Sequence, residues 1–192
     1  MASGPLIVGL GGTTRPASSS GGALGAALAA AAAAGATTRL FDGSHLARLP
    51  LYEPDAGVRT GGTIALIESI READGVVIAS PGYHGGVSGL VKNALDYLED
   101  LREDERPYLT GRAVGCIACA AGWQATVSTL AALRAIVHAL RGWPTPMGAA
   151  INSAVRPADR EAATVAAQFQ LETLGSEVVQ FARAQAHDGV AP

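Results

Sequence analysis

Residues 11–20 combine the residue types that bind a phosphate group. Gly11 and Gly12 are followed by two threonines, by Arg15 and by three serines at 18–20, after which a helical pattern begins. Glycines allow a close turn, hydroxyls and a guanidinium donate hydrogen bonds, and a helix N-terminus attracts an anion. Serines before a helix also cap it when no ligand is present. Three serines plus Arg15 exceed what a cap requires, so we predict a phosphate-binding loop.

Two better-known phosphate loops match this segment less well. The Walker loop requires a Gly-Lys-Ser/Thr sequence, which the chain lacks. The dinucleotide-binding fingerprint fits Gly9 and Gly11, but Thr14 occupies the position of its third glycine. The match to that fingerprint is therefore incomplete. The hydrogen-bond donors beyond those a helix cap needs favour the phosphate of a mononucleotide.

A second glycine-rich segment, residues 80–89, precedes an apolar stripe with helical spacing. The segment reads Ser-Pro-Gly-Tyr-His-Gly-Gly-Val-Ser-Gly, and we predict a loop there. Members of the stripe recur at steps of three and four, which places them on one face of a helix, with Lys92 and Asp96 on the opposite face. The stripe consists of Val87, Leu90, Val91, Ala94, Leu95 and Leu98.

Apolar runs and helical periods alternate five times along the chain, with a surface loop predicted over 42–57. This alternation predicts an α/β fold: a doubly wound five-stranded parallel sheet with helices on both faces, in three α/β/α layers. One domain covers 1–185, and a flexible tail covers 186–192. Ligands bind beyond the carboxyl ends of such strands, so the loops after the first, third and fourth strands matter most. Strands are predicted at 6–10, 37–41, 76–79, 113–119 and 147–151, and helices at 18–35, 64–70, 87–98, 126–140 and 158–184.

Composition and charge argue against several classes of function. The net charge is -3 and Lys92 is the only lysine, so no basic stripe exists for nucleic acid. The histidines are scattered, so we expect no metal site. The apolar residues 23–34 are too few to cross a bilayer, and the first strand begins too early for a signal peptide. We therefore expect a cytoplasmic protein.

The two cysteines, Cys116 and Cys119, superficially resemble half of a metal or redox motif. They fall in the predicted strand at 113–119, where residues three apart lie about 10 Å apart on opposite faces. That geometry forbids a disulfide. We predict two buried, unpaired thiols.

The longest continuous similarity to a known family lies at residues 80–97. Their sequence, Ser-Pro-Gly-Tyr-His-Gly-Gly-Val-Ser-Gly-Leu-Val-Lys-Asn-Ala-Leu-Asp-Tyr, resembles the signature segment of the NADPH-dependent FMN reductases, which have the flavodoxin-like fold. Residues 11–20 resemble the phosphate loop of that family, and Leu-Pro-Leu-Tyr-Glu-Pro-Asp at 49–55 resembles its stretch after the second strand. Residues 120–124 occupy the place of its third flavin loop, with Trp123 as a departure from the pattern.

The resemblance implies an FMN site and a role for each loop. Hydride would pass directly from NADPH (or NADH) to the flavin, so no catalytic side chain is implied. Glycine-rich backbone would let the flat ring approach closely. The phosphate would be held by Thr13, Arg15, Ser18 and Ser20, and the isoalloxazine would lie against Pro81, Gly82, Tyr83, His84, Gly85, Ala121 and Gly122.

Several alternatives remain open at the level of sequence. The electron acceptor is a free flavin, a flavin-dependent monooxygenase, a quinone or a similar small molecule. The family resemblance implies a homodimer or homotetramer, with the stripe at 87–98 or the helix at 126–140 as the contact.

A non-enzymatic FMN-binding electron carrier of flavodoxin type is the main rival, although a charge of only -3 disfavours electrostatic docking. A signalling module that binds a mononucleotide is a third. Some relatives in the resembled family that release reduced flavin carry an extra aromatic residue in this helix, whereas residues 130–135 have none. By that resemblance, FMN is expected to be a prosthetic group and not a diffusible substrate.

Overall fold

The computed structural model of the chain describes residues 4–188. Its strands are β1 (Leu6–Gly11), β2 (Thr37–Phe41), β3 (Gly75–Tyr83), β4 (Gly86–Val87), β5 (Ala113–Ala120), β6 (Trp143–Pro144) and β7 (Ala149–Asn152). Its α-helices are α1 (Ser19–Ala33), α2 (Gly43–Leu46), α3 (Gly61–Glu72), α4 (Gly89–Asp96), α5 (Trp123–Ala139) and α6 (Arg160–Asp188). Turns of 3₁₀ helix follow α4 at Tyr97–Leu101 and precede α6 at Pro157–Asp159.

The main sheet is parallel and has five strand positions, as predicted. Its order is β2-β1-β3-β5, and β6 and β7 share the edge beyond β5. The fifth position is split because Pro144 and Pro146 lack the N–H that a continuous strand needs. The remaining strand, β4, forms an antiparallel hairpin with β3.

Apolar layers cover both faces of the sheet, which confirms the three-layer arrangement. One layer packs α3, α4 and α5 on one face, and the other packs α1 and α6 on the opposite face. Cys116 belongs to the first layer and Cys119 to the second, and both are unpaired. Burial raises the pKa of each thiol to about 12. The prediction of two buried free cysteines is confirmed.

Most residues of the predicted helical stripe are buried in the core. Val91, Ala94 and Leu95 of α4 are buried beside Leu98, and Lys92 pairs with Asp96 on the outer face. Val87 and Leu90 are partly buried against the same core, and the expectation that the stripe supplies a subunit contact stays a prediction. Its apolar side chains already pack against their own sheet.

Other elements differ from the prediction in their limits. The loop expected over 42–57 contains α2, whose single turn is too short to show a period and is capped by Asp42. The Asp42 carboxylate accepts hydrogen bonds from the N–H groups of Ser44 and His45 and from the Ser44 hydroxyl. The bond from the Ser44 hydroxyl, followed by that from the His45 N–H, holds the pKa of Asp42 well below its usual range. At the far end α6 continues through Asp188, and residues 189–192 of the predicted tail lie outside the described residues. No helix within residues 4–188 is long and apolar enough to cross a membrane.

Candidate functional site

Three loops and the end of β7 meet at the carboxyl edge of the sheet and enclose a cleft of about 540 Å³. Ten of the eleven residues predicted for the site line this cleft, and Gly122 comes directly after the lining residue Ala121. Their roles in binding stay predictions. Five further residues line the cleft: Ala17 and Ser19, which lie within the predicted phosphate loop, and Cys119, Ala125 and Ser153, which the sequence did not indicate.

The first loop leads into α1 with unused hydrogen-bond donors. Ser18 caps the helix by accepting a bond from the Gly21 N–H at 3.1 Å. Thr13 accepts one from the Arg15 N–H at 3.0 Å. The exposed guanidinium of Arg15 makes no hydrogen bond or ion pair with any residue from 4 to 188, and it is the only charged side chain lining the cleft. The cleft therefore has one positive end.

Ser20 carries a polar atom that needs a partner. Its side chain is only 2% exposed, and its hydroxyl has no hydrogen-bond partner among the described residues. Leaving such a group unpaired costs about 1–3 kcal/mol, so a buried orphan requires an explanation. Because Ser20 lines the cleft in the first turn of α1, where main-chain N–H groups also lack acceptors, an anion there would satisfy it.

Two of the four described non-glycine residues with positive φ line the cleft. Ala17 and His84, both lining residues, adopt left-handed conformations with φ of 53° and 52°. Such a conformation costs a non-glycine residue roughly 1–2 kcal/mol. At Gly11, where φ is 140°, a Cβ would lie 2.0 Å from the carbonyl oxygen of Ala79. Strain of this kind persists at binding sites, where the surrounding structure holds it.

The segment predicted as a loop over 80–89 is largely a hairpin. Strand β3 continues to Tyr83, and only His84 and Gly85 form the turn to β4. Both have positive φ, at 52° and 80°, as a two-residue hairpin turn of type I′ requires. Periodicity did not reveal the hairpin because β4 has only two residues. The Ser128 hydroxyl donates to the Gly85 carbonyl at 2.8 Å, which ties the turn to α5.

The third loop delivers the N-terminus of α5 to the cleft. Gly122, with φ of 126°, precedes the helix, and no side chain caps it. The Asn152 side-chain oxygen accepts from the N–H groups of Gly122 and Ala154, each at 2.9 Å, and so joins β7 to this loop. An uncapped helix N-terminus carries partial positive charge. The sequence analysis missed Asn152, because its partner Gly122 lies 30 residues away in the chain.

The other lining groups argue against acid, nucleophile or metal chemistry. No carboxylate lines the cleft. The Cys119 thiol is neutral at physiological pH because burial raises its pKa to about 12. Among residues 4–188, no three His, Cys, Asp or Glu residues are close enough to hold a metal ion. What remains is a set of hydroxyl groups with Arg15 from the first loop, together with glycine, proline and alanine from the other two loops.

A comparison with known families matches residues 5–155 to the family model described as NADPH-dependent FMN reductase. The chain belongs to this family. Among curated relatives, it is 48% identical over 59 residues to a quinone reductase of Escherichia coli (strain K12), covering 29% of this chain and 31% of that protein. It is 31% identical over 91 residues to an NADPH azoreductase of Bacillus sp. (strain OY1-2), covering 47% and 48%. The chain thus spans less than half the length of each relative.

Solved structures give the flavodoxin-like fold of this family member. An oxidoreductase from Corynebacterium diphtheriae superposes with a TM-score of 0.77 at 18% identity, covering 95% of this chain and 99% of that one. A flavodoxin, WrbA-like protein from Agrobacterium tumefaciens superposes with a TM-score of 0.64 at 16% identity, covering 94% and 99%. At such identities these likenesses show the fold alone.

In this member of the FMN reductase family, Gly82 lies where the end of β3 packs closely on α5. A Cβ at this position would lie 2.8 Å from the Thr129 hydroxyl oxygen and 2.9 Å from the Ala120 Cβ. We expect Gly82→Ala to lower the free energy of unfolding by about 1–3 kcal/mol, because both neighbours must shift. Urea denaturation measures this change.

Gly86 provides the matched control in the same hairpin. Its Cβ would come no closer than 3.9 Å to the Tyr83 carbonyl oxygen. Gly86→Ala should leave the unfolding free energy within about 0.5 kcal/mol of the parent value. Equal effects of the two substitutions would show that the close packing at Gly82 does not constrain the hairpin.

Proposed function

We propose that this chain binds FMN in the cleft, reduces it with NADPH (or NADH), and passes the electrons to a small-molecule acceptor. The observation that carries this function is that the Arg15 guanidinium and the buried Ser20 hydroxyl, neither with a partner among residues 4–188, line one cleft with the glycine-rich hairpin turn. When bound, FMN supplies an acceptor for a hydride from the nicotinamide. The residues of the cleft bind and orient the rings.

The first loop fits a phosphate monoester in both charge and donors. Arg15 offers a planar fork of N–H donors that matches phosphate oxygens. Ser20 and the first turn of α1 add donors that the chain itself leaves unused. Ser18 lines the same cleft with a hydroxyl proton that can turn toward an oxygen, and the Thr13 hydroxyl donates only a long bond of 3.5 Å to the Arg15 carbonyl. The residues present therefore fit the phosphate end of FMN.

The hairpin and the third loop fit a flat ring. Gly82 and Gly85 leave backbone without side chains, Pro81 and Ala121 offer apolar contact, and Tyr83 is an exposed aromatic ring at the rim. The uncapped N-terminus of α5 favours the negative charge that a flavin gains on reduction. In this assignment no side chain acts as an acid or base, and His84 serves through its backbone in the turn.

The acceptor class is inferred from chemistry that the slot and the relatives share. Quinones and azo dyes are planar molecules that can stack in a slot that accepts a flat ring. The curated relatives are named for those two classes of acceptor. A flavin-dependent monooxygenase as recipient of reduced flavin stays a prediction, as do a cytoplasmic location and a homodimer or homotetramer. A carrier of flavodoxin type would bind FMN without oxidising NADPH.

Spectroscopy and turnover of the purified chain test this function. We expect a yellow protein with flavin absorption bands that oxidises NADPH when a quinone or an azo dye is added. Yellow protein without NADPH oxidation would identify the electron carrier instead. Colourless protein that consumes NADPH only with free FMN would make the flavin a diffusible substrate, and colourless, inactive protein would contradict the proposed function.

Arg15→Ala should weaken FMN binding without unfolding the protein. The exposed guanidinium has no partner within residues 4–188, so its loss removes only the contact to phosphate. We expect a loss of about 1.5–3 kcal/mol, or roughly a tenfold to 150-fold rise in Kd. Quenching of flavin fluorescence measures the Kd. Exposed Arg106 is the control residue, since it lies outside the cleft, and unchanged affinity in Arg15→Ala would remove Arg15 from the site.

Ser20→Ala should separate binding from stability. The hydroxyl has no partner in the ligand-free chain, so its removal should leave the unfolding free energy of the apoprotein unchanged or higher. The Kd for FMN should rise about tenfold or more, because a bond to a charged acceptor is lost. Ser18→Ala provides the contrast, since losing the cap on α1 should destabilise the apoprotein by about 1 kcal/mol. A destabilised Ser20→Ala apoprotein with normal FMN affinity would contradict this assignment.

A further inference from the structure

A second hollow, of about 420 Å³, lies beside the cleft, and we call it the outer hollow. Two alanines of α6 line it together with Trp123, Asn152, Ala154, Val155, Arg156 and Asp159. Two stretches of chain connect it to the cleft. In one, Ala121 lines the cleft and Trp123 the outer hollow, and in the other, Ser153 lines the cleft and Asn152 the outer hollow. Because residues two apart span at most about 7 Å, one molecule can occupy both.

Hydrogen bonds fix the outer hollow relative to the cleft. The Asn152 side-chain oxygen accepts from the N–H groups of Gly122 and Ala154, each at 2.9 Å, and so joins the start of α5 to the segment after β7. The Ser153 N–H donates to the Ala120 carbonyl at 2.8 Å. A ligand that spans the cleft and the outer hollow would therefore meet two sites at a set separation.

Trp123 is a large ring without a stacking partner among residues 4–188. Its side chain is 60% exposed and lies on the wall of the outer hollow. Trp143 is equally exposed, but its ring lies 6.0 Å from that of Phe181. The face of an indole stacks on planar aromatic rings of many kinds. Trp123 therefore favours a planar aromatic ligand.

Two guanidinium groups lie close to this ring. The Arg156 Nε donates to the Asp159 carboxylate at 2.8 Å, so the carboxylate orients the guanidinium, and the two terminal nitrogens donate no hydrogen bond within the described residues. Arg160 lines a groove of about 1110 Å³ between α1 and α6, which shares Asn152 and Val155 with the outer hollow. The guanidinium of Arg160 has no partner among residues 4–188. Both arginines therefore have donors available to a ligand.

The charge around the outer hollow is positive. Asp159 is the only carboxylate among the described residues that line it, and it faces both Arg156 and Arg160 within one turn of chain. Glu172, the carboxylate that lines the groove, is twelve residues beyond Arg160, or about 18 Å along α6. Two guanidinium groups against one carboxylate leave one positive charge for an anion.

We propose that the outer hollow binds an aromatic ring that carries an anionic group. The ring stacks on Trp123, and the phosphate or sulfonate accepts hydrogen bonds from Arg156 and Arg160, whose planar forks match the oxygens of such anions. This subsite is separate from the predicted phosphate loop, because Arg15 and Ser20 line the cleft and not the outer hollow.

Two molecules of the proposed reaction carry this chemistry, and in naming them the inference rests on the proposed function. The adenosine end of NADPH carries a 2′-phosphate that NADH lacks. A sulfonated azo dye carries an anionic group on an aromatic ring. Either molecule has its reacting end in the cleft and its charged aromatic end in the outer hollow.

Binding of two probes tests the subsite without turnover. We expect calorimetry of the purified protein to detect adenosine 2′,5′-bisphosphate, naphthalene-2-sulfonate or both. Trp123→Ala should raise the Kd about tenfold, because stacking is lost. Trp143→Ala is the matched control, since Trp143 is equally exposed but pairs with Ala113, about 23 Å from the carboxyl end of β5. A parent protein that binds neither probe, or equal effects of the two substitutions, would overturn the proposal.

The same titration separates this proposal from the flavin chemistry. Neither probe exchanges electrons with a flavin, so binding is measured whether or not the protein oxidises NADPH. Protein that binds a probe through Trp123 but oxidises no NADPH would contradict the proposed function and leave the subsite standing.

Steady-state kinetics identifies the molecule that occupies the outer hollow. If it is the nicotinamide cofactor, Arg160→Gln should raise the ratio of the KM for NADPH to that for NADH about tenfold or more, because a charged hydrogen bond is lost. If it is the acceptor, the ratio of the KM for a sulfonated azo dye to that for an uncharged one should rise instead. Arg106→Gln is the control, since Arg106 is exposed and lies outside the cleft and the outer hollow. If neither ratio changes in Arg160→Gln or in Arg156→Gln, the two arginines do not bind the anion and the proposal is wrong.

Discussion

The register of the parallel strands brings every chemical group of the site together. Gly11 of β1 pairs with Ala79 of β3, Pro81 of β3 pairs with Cys119 of β5, and Ala120 of β5 pairs with Asn152 of β7. Each of these pairs lies at the carboxyl end of a strand or one residue before it. Because the ends lie side by side, residues far apart in sequence line one cleft. A shift of one strand by a single residue would turn its side chains to the other face.

This alignment also directs two helix N-termini at the same cleft. Helix α1 begins at Ser19 and α5 at Trp123, one at each side of the cleft, and both carry main-chain N–H groups that no helical carbonyl accepts. The two ends differ in chemistry, because Ser18 caps α1 whereas α5 has no side-chain cap. The first suits a compact anion surrounded by hydroxyls. The second suits a group whose charge becomes negative during the reaction, since its N–H groups remain free.

The sequence predicted those site residues that lie close together along the chain, and it missed a residue whose contacts are distant in sequence. Glycines, serines and Arg15 are consecutive in residues 11–20, and the segment after the third strand is equally compact, so both loops were found. Asn152 has no such neighbourhood, because its carboxamide joins loops that only the sheet brings together. Arg112 also follows a glycine, as an arginine of a binding loop would, but it is buried in the core. Its guanidinium donates to backbone carbonyls, including that of Ala73 at 2.9 Å.

Helix α6 shows why an apolar pattern alone does not reveal which face is covered. Both halves of the helix carry apolar residues at steps of three and four, as at Leu171 and Leu174 or at Val165 and Phe169. Only the sheet distinguishes them, because it buries the first pair and leaves the second exposed. The striped helix α4 is the counterexample, since Val91, Ala94 and Leu95 on its apolar face are buried in the core. An exposed apolar face is therefore what the core leaves uncovered, as along the first half of α6 and at the start of α5.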